Sequence, residues 1–178
     1  MKIRYLVAAL LFALAIPNAT AQDAEADLTT VFNYLKYSDD LSSAGQIPYE
    51  QIVSLEEAGF DIVINLATVN ESGNALEGFL VAEQGMTYLN IPVSWQEPPL
   101  EDVEMFFNMM NASKGKRVFV HCAANMRATA FVYLYRTLVQ GVDEAKARAD
   151  METIWDPAGS PAWDQLIKDA KSHFGKGE

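Results

Sequence analysis

The chain predicts a three-layer α/β sandwich in which a mainly parallel sheet of four or five strands lies between helices. Three observations carry that expectation. Short apolar runs rich in β-branched residues, such as residues 61–66 (DIVINL), have the length and composition of buried strands. They alternate with longer helix-forming stretches, the pattern of parallel strands joined by crossover helices. Pro48 fits the first turn of one such stretch, and Gly59, Gly85, Gly115 and Gly141 stand where helices should stop.

Taken in order, residues 22–30 are small and acidic and read as a flexible lead-in. Residues 32–37 form a first strand, followed by a turn at Ser38, Asp39 and Asp40. A helix over 48–58 leads into the strand at 61–66. A helix over 74–84 precedes a strand at 86–91, and residues 92–99, bounded by prolines, form a loop. Residues 100–113 are strongly amphipathic; Met105, Phe106, Met109 and Met110 recur at helical spacing and mark a core face. Residues 117–120 (RVFV) form a further buried strand, and residues 128–140 a helix without Gly or Pro. Helices over 142–155 and 162–174 flank a break at 156–161. Trp155 and Trp163 bracket that break and should pin the last helix.

The amino terminus reads as a secretory signal. Lys2 and Arg4 precede an apolar run from Tyr5 to Ile16, and Ala19, Thr20 and Ala21 supply the small residues of a cleavage site. That run is shorter than the roughly 20 residues needed to span a bilayer. Cleavage after Ala21 leaves residues 22–178 as one domain in the periplasm or outside the cell, with no membrane attachment. Losing the two positive charges of the leader takes the net charge from −11 to −13. So acidic a chain offers no basic surface for nucleic acid and repels anionic lipid. Its single cysteine excludes an internal disulfide.

The chemistry concentrates in His121-Cys122-Ala123-Ala124-Asn125-Met126-Arg127. A cysteine between a strand end and a helix start meets unpaired backbone N–H groups and the positive end of the helix dipole. That setting favours a thiolate and cradles a tetrahedral oxyanion. Arg127 can clamp two oxygens of such a group. A buried structural cysteine ahead of an ordinary helix is the bland alternative. No His/Cys/Asp spacing suggests a metal, and no glycine-rich loop suggests a nucleotide, so the expected chemistry needs no cofactor. Trp95, in the loop facing the active strand end, could wall a substrate pocket or simply pack.

With these elements placed, the chain resembles the cysteine-dependent protein phosphatases, most closely the bacterial dual-specificity-phosphatase-like branch. The resemblance rests on Ser43-Ala44-Gly45-Gln46-Ile47-Pro48, on Ala58-Gly59-Phe60 leading into Val63-Ile64-Asn65-Leu66, on Tyr88-Leu89-Asn90-Ile91-Pro92-Val93, and on the cysteine loop. It implies a phosphate monoesterase acting on a phosphorylated or other oxyanionic ligand. Cys122 would attack phosphorus to form a cysteinyl-phosphate, and Arg127 with the amides of residues 123–127 would hold the equatorial oxygens. His121 would order the loop from the strand end.

Three departures accompany the resemblance. The broad pattern H-C-x-x-G-x-x-R-[S/T] has five residues between Cys and Arg, and here there are four. An ungapped match puts Ala128 in the arginine slot and Thr129 on the hydroxyl. A gapped match keeps Arg127 as the clamp, and we adopt it because the bacterial branch resembles the shorter C-x-x-G-x-R form. Asn125 stands where glycine is usual, at a position that tends to need positive φ, which Asn tolerates. Finally, the slot of the aspartate general acid falls near Ser94 or Trp95. Glu97 is the nearest carboxylate, and Asp102, with Glu101, opens the following helix. Two other readings stay open. Rhodanese-like sulfurtransferases, which would carry a persulfide on Cys122, share the four-residue spacing, although their Asp-x-Arg and Gly-His-Ile-Pro landmarks are missing. A phosphatase fold kept only to bind an anion would also show such departures.

Overall fold

The computed structural model describes residues 19–69 and 73–175. Five strands make one mixed sheet: β1 (Leu35–Ser38), β2 (Leu41–Ala44), β3 (Ile62–Asn65), β4 (Thr87–Asn90) and β5 (Val118–His121). Their order is β1-β2-β5-β3-β4, with β1 antiparallel to β2 and every other pair parallel. β5 is central. Its last residue, His121, pairs with Ala44 on one side and Asn65 on the other, so the chain leaves the middle of the sheet at Cys122.

Among the described residues, seven helices cover the two faces: α1 (Ala19–Leu28), α2 (Ile52–Glu57), α3 (Glu77–Glu83), α4 (Leu100–Ala112), α5 (Met126–Leu138), α6 (Glu144–Glu152) and α7 (Pro161–Phe174). Side chains alternate across a strand, and this alternation divides the interior into two cores. Val118, Val120 and Ile64 pack with Phe106 of α4, Phe131 of α5 and Trp163 of α7. Val63 and Phe119 pack with Leu28 of α1, Ile52 and Leu55 of α2, and Val81 of α3. Residues 127–136 of α5 are buried on every side, because α5 lies between the sheet and its neighbouring helices. The architecture is the expected α/β sandwich, a mainly parallel sheet between two layers of helices.

Several elements differ from the sequence expectation. Residues 22–30 are not a flexible lead-in: most of them form α1, whose Ala24 and Leu28, with Val31 beyond it, enter the second core at helical spacing. Asp27 fastens that helix, accepting hydrogen bonds from Ser54 Oγ (2.7 Å) and Gln51 Nε2 (3.0 Å). The expected leader lies mostly outside the described residues, and the cleavage point expected after Ala21 falls within α1. The first strand begins at Leu35 rather than residue 32, because Asn33 adopts a left-handed conformation (φ 55°). A whole strand, β2, follows the turn at residues 38–40. Its Ser42 and Ser43 are buried in a strand because tyrosine hydroxyls meet them, Tyr34 at 3.1 Å and Tyr37 at 2.9 Å. The helix from Pro48 opens as a 3-10 turn (Tyr49–Gln51) and closes at Gly59, whose φ of 85° favours glycine. The helix expected over 142–155 is shorter, because Asp143 caps it by accepting from the Lys146 N–H (3.0 Å). Among the described residues no helix is long and apolar enough to cross a membrane.

Candidate active site

β5 ends at His121 and α5 begins at Met126, so only four residues, 122–125, join them. Reversing the chain so tightly requires a left-handed residue, and Asn125 supplies it at φ 65°, ψ −2°, as the cap of α5. The loop is anchored from behind by its carbonyls. That of Ala123 accepts from the Gln46 N–H (3.1 Å), that of Ala124 from Asn33 Nδ2 (3.0 Å), and that of Met126 from Trp155 Nε1 (2.9 Å). Asn125 Nδ2 in turn donates to the Asn33 carbonyl (2.6 Å). Gly45 bridges Ala124, and a Cβ there would sit 2.9 Å from the Phe32 carbonyl and 3.0 Å from that of Ala123. A side chain at residue 45 would therefore push the loop out of place.

In front of the loop lies a cleft of about 540 Å³. Cys122, Ala123, Ala124, Met126 and Arg127 form one side, and Thr68, Pro92, Ser94, Trp95 and Gln96 form the other. Cys122 is 1% exposed and sits where β5 gives way to α5. Arg127 faces the cleft, its guanidinium carbon 5.8 Å from the Trp95 ring centroid. Ala128 is buried in the first core, and the Thr129 hydroxyl bonds to the Met126 carbonyl (3.1 Å) and Trp155 Nε1 (3.2 Å). Among the described residues, Arg127 is the one cation lining the cleft, in a chain of net charge −11.

Trp95 both lines the cleft and packs. Its ring lies 5.4 Å from that of Trp155 and 5.2 Å from that of Trp163, and its carbonyl accepts from Trp163 Nε1 (3.0 Å). Trp155 and Trp163 thus hold the cleft wall as well as the last helix. Glu97 and Asp102 do not line the cleft. Glu97 is exposed, and its N–H donates to Ser94 Oγ (3.2 Å). Asp102 lies in the first turn of α4, where burial and then Glu101 raise its carboxyl pKa. Among the described residues no carboxylate lines the cleft.

Behind the strand end is a polar group that sequence reasoning missed. His121 Nε2 lies 2.5 Å from Glu77 Oε1, both side chains fully buried, and Gln46 Nε2 donates to the other oxygen of Glu77 (2.5 Å). The His121 ring also stacks on Phe119, with centroids 6.0 Å apart. Burial, and then the neighbouring Glu77, push the Tyr88 phenol up to about 12, while Asn65 Nδ2 donates to its oxygen (2.9 Å). Glu77 opens α3 and reads locally as a dipole-complementing surface acid; its partner is 44 residues away. Asn33 gave one signal, since asparagine is disfavoured inside a strand.

A family model described as "DSP-PTPase phosphatase fused to NAD+ Kinase" matches residues 33–168. Among solved structures, the DUF442 protein of Shewanella putrefaciens CN-32 is 38% identical, with a TM-score of 0.76 covering 84% of this chain and 97% of that one. Two more distant structures share the fold. TpbA of P. aeruginosa, solved with pTyr, has 15% identity, a TM-score of 0.62, and coverage of 82% and 92% of the two chains. The catalytic core of the PP-IP phosphatase SIW14 from S. cerevisiae, solved with citrate, has 11% identity, a TM-score of 0.62, and coverage of 78% and 85%. No curated protein matches the chain by sequence. The chain belongs to the DSP-like cysteine phosphatase family.

Proposed function

We propose that the protein hydrolyses a phosphate monoester through a cysteinyl-phosphate intermediate. The observation that carries the proposal is the joint placement of Cys122, Arg127 and the start of α5 on one side of a cleft. The Cys122 thiolate attacks phosphorus, a P–S bond forms, and the bond from phosphorus to the leaving oxygen breaks. Arg127 and the loop amides hold the three equatorial oxygens, where charge collects in the transition state. Water then cleaves the P–S bond, releasing inorganic phosphate and regenerating the thiolate.

The alkoxide that departs in the first step needs a proton. Glu97 is the proposed acid and would have to swing toward the cleft, with Asp102 the second candidate. General acid catalysis is worth about 10²–10⁴-fold, so substrates with good leaving groups should react best. The phosphorylated ligand enters against Trp95, and the reaction takes place outside the cytoplasm if residues 1–21 act as a leader.

The test is hydrolysis of p-nitrophenyl phosphate by the purified protein beside Cys122→Ser. Turnover that disappears in the variant is expected, as is a steep fall in rate across aryl phosphates of rising leaving-group pKa. No turnover with a demonstrably reduced thiol would overturn the hydrolytic reading and leave anion binding.

A further inference from the structure

Among the described residues, only two other than glycine have positive φ: Asn33 at 55° and Asn125 at 65°. They lie 92 positions apart, yet their segments grip each other. Asn33 Nδ2 donates to the Ala124 carbonyl at 3.0 Å, and Asn125 Nδ2 donates to the Asn33 carbonyl at 2.6 Å. A left-handed backbone at a residue other than glycine persists only where its surroundings over-determine it. Here each strained residue is held by the other's segment.

We propose that Asn33, which lies outside the loop, is a positioning residue that aims the loop's amides at the bound oxyanion. The inference rests on the phosphatase reading above only in taking residues 123–127 as the oxyanion cradle. A trans peptide is planar, with its C=O and the next N–H pointing in opposite directions. Pinning the Ala124 carbonyl onto Asn33 therefore turns the Asn125 N–H the other way, toward the side lined by Cys122 and Arg127. The Gln46 N–H does the same for the peptide joining Ala123 to Ala124, through the Ala123 carbonyl at 3.1 Å. Gly45 leaves room for both anchors.

The clasp also accounts for Asn125. A glycine at that position reaches positive φ unaided, whereas asparagine meets a steric cost there. Its side chain turns that cost into a tether: the amide reaches back to Asn33 rather than into the cleft, and Asn125 is fully buried. Asn33 and Asn125 together do what one glycine does elsewhere, and they tie the loop to the turn between α1 and β1.

The test measures binding of inorganic phosphate and tungstate by calorimetry, with the thiol kept reduced. Asn33→Gly keeps the backbone conformation and removes only the side-chain donor. It should weaken both oxyanions about tenfold, the size of one misaimed hydrogen bond to an anion, with little change in melting temperature. Asn33→Asp sets a carboxylate against the Ala124 carbonyl and should do worse. Adding Asn125→Gly to Asn33→Gly should recover part of the affinity, because glycine holds the left-handed turn without a clasp. Affinities within twofold of the parent in both Asn33 variants would overturn the proposal. So would losses that merely track the unfolded fraction. Oxyanion binding that behaves as expected in a protein without phosphatase turnover would refute hydrolysis and leave the clasp standing.

Discussion

The two faces of the sheet share the same strands and are made of different material. Under α4, α5 and α7 the interior is aromatic and aliphatic: Phe106 meets Phe131 edge-on at 5.6 Å, and Phe131 meets Trp163 at 6.1 Å. Under α1, α2 and α3 the apolar cluster runs as far as Phe119 and then gives way to His121, Glu77 and Gln46. Strand β5 contributes to both, through Val118 and Val120 on one side and Phe119 and His121 on the other. One side supplies non-directional burial, which stabilises the fold with little regard to orientation. The other supplies directional bonds, which hold particular backbone groups at particular angles. An anion cradle needs the second kind close behind it.

The largest effect that can break this contrast comes from Phe106→Ala on the apolar face. The residue is fully buried, so truncation should remove about 3–5 kcal/mol of stability. Urea unfolding should show the loss, while phosphate affinity of the folded protein stays within about twofold. A collapse of affinity well below the unfolding midpoint would mean that the two faces are not separate in function. An intermediate effect comes from Glu77→Gln on the polar face. Disturbing a buried hydrogen-bonded pair costs about 1–3 kcal/mol. We expect kcat on p-nitrophenyl phosphate to fall about tenfold, the equivalent of about 1.4 kcal/mol, and the urea midpoint to move less than in Phe106→Ala. The reverse order would assign Glu77 to stability alone.

The smallest effect sharpens the contrast from the far end of the sheet. The Asp61 carboxylate accepts from the Arg117 N–H (2.8 Å) and from Lys116 (3.1 Å), and chiefly the first of these holds its pKa below the usual range. A lowered folded pKa gives stability that is present above the unfolded value of about 3.9 and is lost as pH falls through the folded value. Because the side chain is 38% exposed, the contribution should be no more than about 1 kcal/mol. Asp61→Asn should therefore lower the urea midpoint slightly at pH 7. The gap from the parent should shrink as pH falls below about 4, and oxyanion binding should not change.

Most of the sheet and every helix after residue 48 were legible in the sequence, because apolar period and glycine stops are local signals. β2 was not, since Leu-Ser-Ser-Ala has the composition of a turn and is a strand only because Tyr34 and Tyr37 satisfy its serines. α1 was hidden by its small, acidic residues, and what fixes it is the core beneath it and Asp27. At the site, the positions of Cys122 and Arg127 followed from spacing and residue type, and the left-handed turn at Asn125 from the family resemblance, which puts glycine there. Asn33, Gln46 and Glu77 did not, because each acts through a partner between 31 and 91 residues distant. What a loop contains can be read locally, whereas what stands behind it depends on the topology.

The gathering of Trp95, Trp155 and Trp163 has an optical consequence. They are the chain's only tryptophans, their rings lie 5.2–5.9 Å apart, and one of them walls the cleft beside a guanidinium. Excitation absorbed by any indole can pass to its neighbours, so the intrinsic emission of the whole molecule reports on a single place. An oxyanion that draws Arg127 away from Trp95 should register in that emission without a label. The protein carries its own occupancy gauge at the mouth of the cleft.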